Sequence, residues 1–207
     1  MPFLSTLEDT SDTFQHERVP TLDQVIALCK EKGLLMMIEI KPQPNLWQCC
    51  TSTVHSILSH GVQDDVYIAS FSPIALAFVR YLTNQVCTGY LFTASATQLL
   101  RHEFSRQKVP IPWVIRFNPI ASILDAIIRW FGKPSTLHLL GHSIAAIDYR
   151  FLSPYQTFLY KSARITLLSW TVNDYLTQRY LYEKLNVSVI SDFPMLEVSN
   201  MPRAASQ

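Results

Sequence analysis

Glu39 and Lys41 stand two positions apart at the end of an oily run, in the stretch "LLMMIEIKPQP" (34–44). In an extended strand, residues i and i+2 project to the same side, ~7 Å apart. Acid and ammonium would therefore share a face with Leu35 and Met37 and line whatever that face encloses. A carboxylate there can hold a divalent cation, and an ammonium beside it can hold an anion. Together they offer the charge neutralisation that displacement at a phosphate ester requires. The same spacing also suits a plain salt bridge at a sheet rim, and spacing alone leaves both alternatives open.

The elements that would position this pair are short apolar runs alternating with helical patterns. The runs are "LLMMIEI" (34–40), "VYIAS" (66–70), "VCTGYLF" (86–92), "IAAID" (144–148), "ITLLSW" (165–170) and "VSVIS" (187–191). None alternates cleanly with polar residues, the pattern of parallel strands covered on both faces. Their carboxyl ends carry Glu39 and Lys41, Ser70, Phe92, Asp148, Trp170 with Asn173, and Asp192. Chemistry in α/β folds gathers at such ends, and a barrel brings them around one mouth. A closed eight-stranded barrel needs two more units and ~250 residues, so a barrel lacking two strands is the expectation.

Between the strands, "TLDQ" (21–24) reads as a capping box and Gly33 as its helix stop. Ser72-Pro73 and Ser153-Pro154 each pair an N-cap serine with a first-turn proline, and Asn173-Asp174 can start another helix. The interval between Phe92 and Ile144 is long. Within it, Ile120, Ile123, Leu124, Ile127, Ile128 and Phe131 fall on one helical stripe, with Asp125 and Arg129 on other faces. That helix either packs on the sheet or lies on a membrane surface, with Trp113 and Trp130 near its ends. "LHLLGHSIAAI" (137–147) reads as a lead into the fourth strand.

The bulk numbers fit a core-forming protein. The chain has 207 residues, 48% of them hydrophobic and 16% charged, with a net charge of +1. Mean hydropathy is +0.13. So small a charge gives no field for nucleic acid, and no nucleic-acid partner is expected. Cys29, Cys49, Cys50 and Cys87 form no Cys-x-x-Cys pair and read as reduced core residues. The N-terminal segment lacks the charged and apolar regions of a signal peptide, and no stretch is a clear membrane span.

Four of these segments carry a resemblance. "VPTLDQVIALCKEKGLLMMIEIK", "IASFSP", "LLSWTVND" and "VISDFP" resemble, in order, the Ile-Pro-Thr-Leu helix with its Glu-Ile-Lys strand, the Ser-Phe-x-Pro strand end, the Trp-Thr-Val-Asn turn and the closing Ile-Thr-Asp-x-Pro of the glycerophosphodiester phosphodiesterase family. The long insert before "AIDYRFLSP" is similar to the membrane-associated animal branch. The resemblance implies an α/β fold, here an incomplete TIM-type (β/α)8 barrel lacking the first two strands, with an amphipathic insertion. It implies metal-dependent hydrolysis of glycerophosphodiesters or lysophospholipid-type substrates to glycerol 3-phosphate and an alcohol, in lipid metabolism. By position, Glu39 matches a metal carboxylate for Mg²⁺ or Ca²⁺, and Lys41 a contact to the substrate phosphate. Trp170 matches the aromatic wall beside the glycerol phosphate; Ser70, Phe71, Asn173 and Asp192 match positions that shape the mouth.

The sequence departs from that pattern at its start. The family's His-Arg-Gly strand, Glu-x-Asp strand and His-Asp pair have no counterpart here. The histidines at 16, 55, 60, 102, 138 and 142 stand in other contexts and read as non-catalytic, so no catalytic residue is assigned. The expected layout is an N-terminal extension (1–18), a partial barrel (19–194, with an insert at about 105–140) and a tail (195–207). Such a chain is expected to show little or no activity alone, as a truncated form of a membrane-associated parent. The alternative is a catalytically dead fragment that binds a ligand or partner.

Overall fold

The computed structural model describes residues 18–93 and 118–193. The expected N-terminal extension up to residue 17, the first part of the insert, and the tail lie outside the described residues. Six strands run through the rest: β1 (Met36–Glu39), β2 (Val66–Ser70), β3 (Cys87–Phe92), β4 (Ile144–Asp148), β5 (Thr166–Trp170) and β6 (Ser188–Val189). All neighbours pair in parallel, and the spatial order is the chain order. A doubly wound sheet reverses that order at a switch point. This sheet never reverses, so it is an open, curled half-barrel of the TIM type.

Winding in one direction sends every crossover helix to the same side of the sheet. The helices are α1 (Leu22–Lys32), α2 (Leu46–His60), α3 (Pro73–Leu82), α4 (Asn118–Phe131), α5 (Pro134–Leu139), α6 (Pro154–Ser162) and α7 (Tyr175–Glu183). Their starts follow the sequence. Thr21 and Gln24 form the capping box on α1, and Gly33 ends it at φ 62°. Ser72, Ser153 and Asp174 each accept a hydrogen bond from the first turn of α3, α6 and α7. On α2, Cys50, Thr53, Val54 and Ile57 are buried at helical spacing, so one stripe meets the sheet. Each large apolar side chain buried this way contributes about 1.5–3 kcal/mol.

The two faces of the sheet differ. Toward the helices, Ile68, Leu76, Val79 and their neighbours form a continuous core. On the other face the buried apolar cluster among the described residues is small, Ala69, Leu91 and Ala146, flanked by Tyr67, Leu168 and Trp170. The first strand was expected to be covered on both faces, and it is not. Leu34 and Leu35 are exposed, and Met37 is 38% exposed. The cause is topological: β1 is an edge strand, and Met37 and Glu39 point to the uncovered inner face.

The apolar stripe of α4 is divided. Ile128 and Phe131 pack against the core, while Ile123, Ile127 and Trp130 are exposed. Asp125, expected on another face, is buried, so the helix is rotated from the simple stripe. The segment read as a lead into β4 begins instead as α5, then turns at Gly141. At the α4–α5 junction Gly132 lies under the Phe92 ring, where a Cβ would sit 2.4 Å from that ring. The Tyr160 hydroxyl donates to the Gly132 carbonyl at 2.5 Å.

Candidate functional site

The polar strand ends collect along the carboxyl rim of the sheet. At β1, Lys41 Nζ donates to Glu39 Oε1 at 2.9 Å, with the lysine side chain 77% exposed and the glutamate 28%. Of the two alternatives that the spacing left open, the salt bridge is therefore formed. An exposed pair of this kind adds about 0–1 kcal/mol, so it does not hold the strand in place, and Lys41 stays accessible. Among the described residues no group of three or more His, Cys, Asp or Glu is arranged to hold a metal ion. One carboxylate is too few for Mg²⁺ or Ca²⁺, which take about six or more oxygen ligands, so no step below runs through a metal.

Phe71, just past β2, meets Trp170, the last residue of β5, edge to face at 5.3 Å between ring centroids. Strand ends three spacings apart on a flat sheet would be separated by ~14 Å, so this contact follows from the curl. The Trp170 Nε1–H donates to the Ala146 carbonyl at 2.9 Å, which fixes the indole plane on β4. The structure thus brings together two of the residues read as substrate-binding.

Ser70 goes elsewhere. It is fully buried on the helix side, donates to the Ile40 carbonyl at 2.6 Å and accepts from the Ser72 amide at 3.0 Å. Its hydroxyl ties the ends of β1 and β2 together and so sets the position of Lys41, one residue beyond Ile40. Asn173 and Asp192 form a clasp: Asn173 Nδ2 donates to Asp192 Oδ2 at 2.8 Å, and the Asp192 amide to Asn173 Oδ1 at 2.9 Å. That clasp joins the ends of β5 and β6.

Two features of the rim escaped the sequence. The first is Arg150. Its Nε and Nη2 donate to the two Asp148 oxygens at 2.9 and 2.5 Å, and its amide donates to Oδ1 at 3.1 Å. Asp148 is 1% exposed and the guanidinium side chain 55%. The hydrogen bond that Arg150 donates to the Asp148 carboxylate raises the Arg150 pKa above its ordinary value. A signal was present: "DYR" repeats the acid-x-base spacing of "EIK" at another strand end. The second is Thr93, buried just past β3, whose Oγ1 has no hydrogen-bond partner among the described residues.

No described histidine stands at the carboxyl rim. His55 lies mid-helix on α2, His60 ends it, His138 is on α5, and His142 precedes β4. His142 Nδ1 lies 2.8 Å from Thr88 Oγ1, and burial, with Arg80 nearby, pushes its pKa down to about 4. It is a neutral core imidazole.

Mouse and rat glycerophosphodiester phosphodiesterase 1 are each 22% identical to this chain over 184 residues, covering 89% of it and 54% of the relative. The chain thus spans about half the length of these curated relatives. Among solved structures, an Oleispira antarctica phosphodiesterase in complex with the product sn-glycerol-3-phosphate aligns with a TM-score of 0.63 at 22% identity, covering 88% of this chain and 61% of that one. A glycerophosphoryl diester phosphodiesterase from Silicibacter pomeroyi aligns with a TM-score of 0.63 at 16% identity, covering 86% and 54%. These likenesses show the fold. The model of the glycerophosphoryl diester phosphodiesterase family matches residues 4–196, and the chain belongs to that family.

Proposed function

We propose that this chain forms the phosphate- and glycerol-holding side of a phosphodiesterase barrel that hydrolyses glycerophosphodiesters to glycerol 3-phosphate and an alcohol. The observation that carries this reading is the rim: an exposed Lys41 on one strand end and a Phe71–Trp170 wall on two others, in a chain of this family. Lys41 would take the phosphate as a point charge. The aromatic pair would pack the carbon face of the glycerol and keep water from one side of it. Glu39 would contribute one carboxylate to a Mg²⁺ or Ca²⁺ site. A neighbour with the same fold holds sn-glycerol-3-phosphate, which supports this substrate class.

A second reading has its own support. No described histidine stands at the rim and no described carboxylate cluster accompanies Glu39. On that basis these residues alone bind the phosphate ester and turn it over poorly or not at all. Membrane association belongs to the same proposal. No described helix is long and apolar enough to cross a membrane, but the exposed Ile123, Ile127 and Trp130 of α4 suit a surface contact.

Titration of the purified chain with sn-glycerol 3-phosphate, followed by tryptophan fluorescence, tests the shared core of both readings. Saturable binding that Lys41→Gln removes is the expected result; no binding by the wild type overturns both. An assay with glycerophosphocholine and Mg²⁺ then separates them. Turnover lost in Glu39→Gln would exclude the binding-only reading.

A further inference from the structure

The rim carries the acid-x-base motif twice. Glu39-Ile40-Lys41 ends β1, and Asp148-Tyr149-Arg150 ends β4. Both pairs close on themselves, with nitrogen–oxygen distances of 2.9 Å at β1 and 2.5 Å at β4. They differ in what they bury. Glu39 is partly open, whereas Asp148 is sealed and takes two side-chain hydrogen bonds from one guanidinium.

A buried carboxylate is costly to desolvate, and pairing rarely repays more than that cost. Its structural effect is orientation. With Nε and Nη2 engaged, the guanidinium plane is fixed and Nη1 has no partner among the described residues. Arginine offers a planar fork of donors suited to a phosphate, and a clamped fork loses little entropy on binding.

Thr93 supplies an independent observation. Continuing the register Phe92↔Ile147 places Thr93 opposite Asp148, itself opposite Trp170. The Thr93 hydroxyl is buried and has no partner among the described residues, although a carboxylate stands on the neighbouring strand. An orphaned buried hydroxyl destabilises the fold. An oxyanion received beside Arg150 would satisfy it.

We infer that the ends of β3 and β4 form a second anion-holding point of the rim, separate from Lys41, in which Arg150, clamped by Asp148, and the Thr93 hydroxyl bind phosphate-ester oxygens. This rests on the proposed glycerophosphodiester reading. Asp148 is a positioning residue there, and Arg150 and Thr93 are specificity-determining ligands.

The test is calorimetric titration of the full chain with sn-glycerol 3-phosphate and, separately, inorganic phosphate. Arg150→Gln should weaken both ligands ~10-fold or more, the size expected for a charged hydrogen bond. Arg150→Lys, which keeps charge but loses the fork, should fall between. Asp148→Asn/Arg150→Gln leaves no bare buried charge and should bind as weakly as Arg150→Gln, separating binding from misfolding. Thr93→Val should weaken binding ~5-fold, within the same range, while raising the melting temperature of the free chain. A purely structural threonine would not show that opposition. Wild-type affinity in Arg150→Gln and Thr93→Val, with loss only in Lys41→Gln, would overturn this inference and leave the proposed function standing. An effect on glycerol 3-phosphate but not on phosphate would also overturn it. Absence of wild-type binding would end both.

Discussion

One sheet presents two unlike faces. Toward the helices it carries branched and aromatic residues such as Ile68, Tyr90 and Ile147, closed over by Leu76, Val79 and Ile57. Toward the inside it carries Ala69, Gly89 and Ala146, with Met37 and Glu39 partly open at the edge. The small inner residues are held close: a Cβ on Gly89 would lie 3.1 Å from the Ile144 Cβ. The contrast separates two jobs. Folding free energy is gathered on the helix side, and the inner side is left free to carry the rim groups.

Three measurements test that separation. The largest expected effect is on the helix side: Leu76→Ala should cost about 3 kcal/mol in urea unfolding, because a fully buried leucine leaves a cavity. Met37→Ala on the inner side should cost less than about 1 kcal/mol. Equal costs would mean the inner face is covered in solution, and the contrast would fail.

The next effect is acid sensitivity on the helix side. His142 has a folded pKa of about 4 against an ordinary value of 6.5. The unfolded chain binds the proton more readily, so stability is full above pH 6.5 and falls as the pH drops toward 4. The total loss is about 3 kcal/mol. Thr88 and Arg80 face the ring, and His142→Gln should flatten that slope of stability against pH. A slope unchanged by the substitution would place the acid sensitivity elsewhere.

The smallest effect is at the rim. Glu39→Gln should change stability by less than about 1 kcal/mol, since the pair it breaks with Lys41 is exposed. A larger loss would make that pair part of the structural core.

Much of this architecture was legible because its signals are local. Six apolar runs became six strands, and each serine-proline pair became a helix start. What failed to show depended on neighbours. Met37 looks buried in the sequence, but burial needs a covering layer on the inner face. Ser70 sits at a strand end like Glu39, yet the pairing Glu39↔Ala69 gives it the opposite face. Of the proposed site, Lys41, Phe71 and Trp170 were visible as residue types at strand ends. The Phe71–Trp170 contact was not, because it arises from curvature across intervening strands. Thr93 gave no signal, since a missing partner is a property of the folded surroundings.

The seat of Gly132 beneath the Phe92 ring has a consequence for how the molecule can vary. Chain leaves the sheet at Thr93, one residue past that ring, and by Gly132 it has come back to the ring. Thr93 and Gly132, far apart in the chain, therefore meet at one point beside the mouth. Any side chain grown at position 132 would press on the Phe92 ring and pry that junction open.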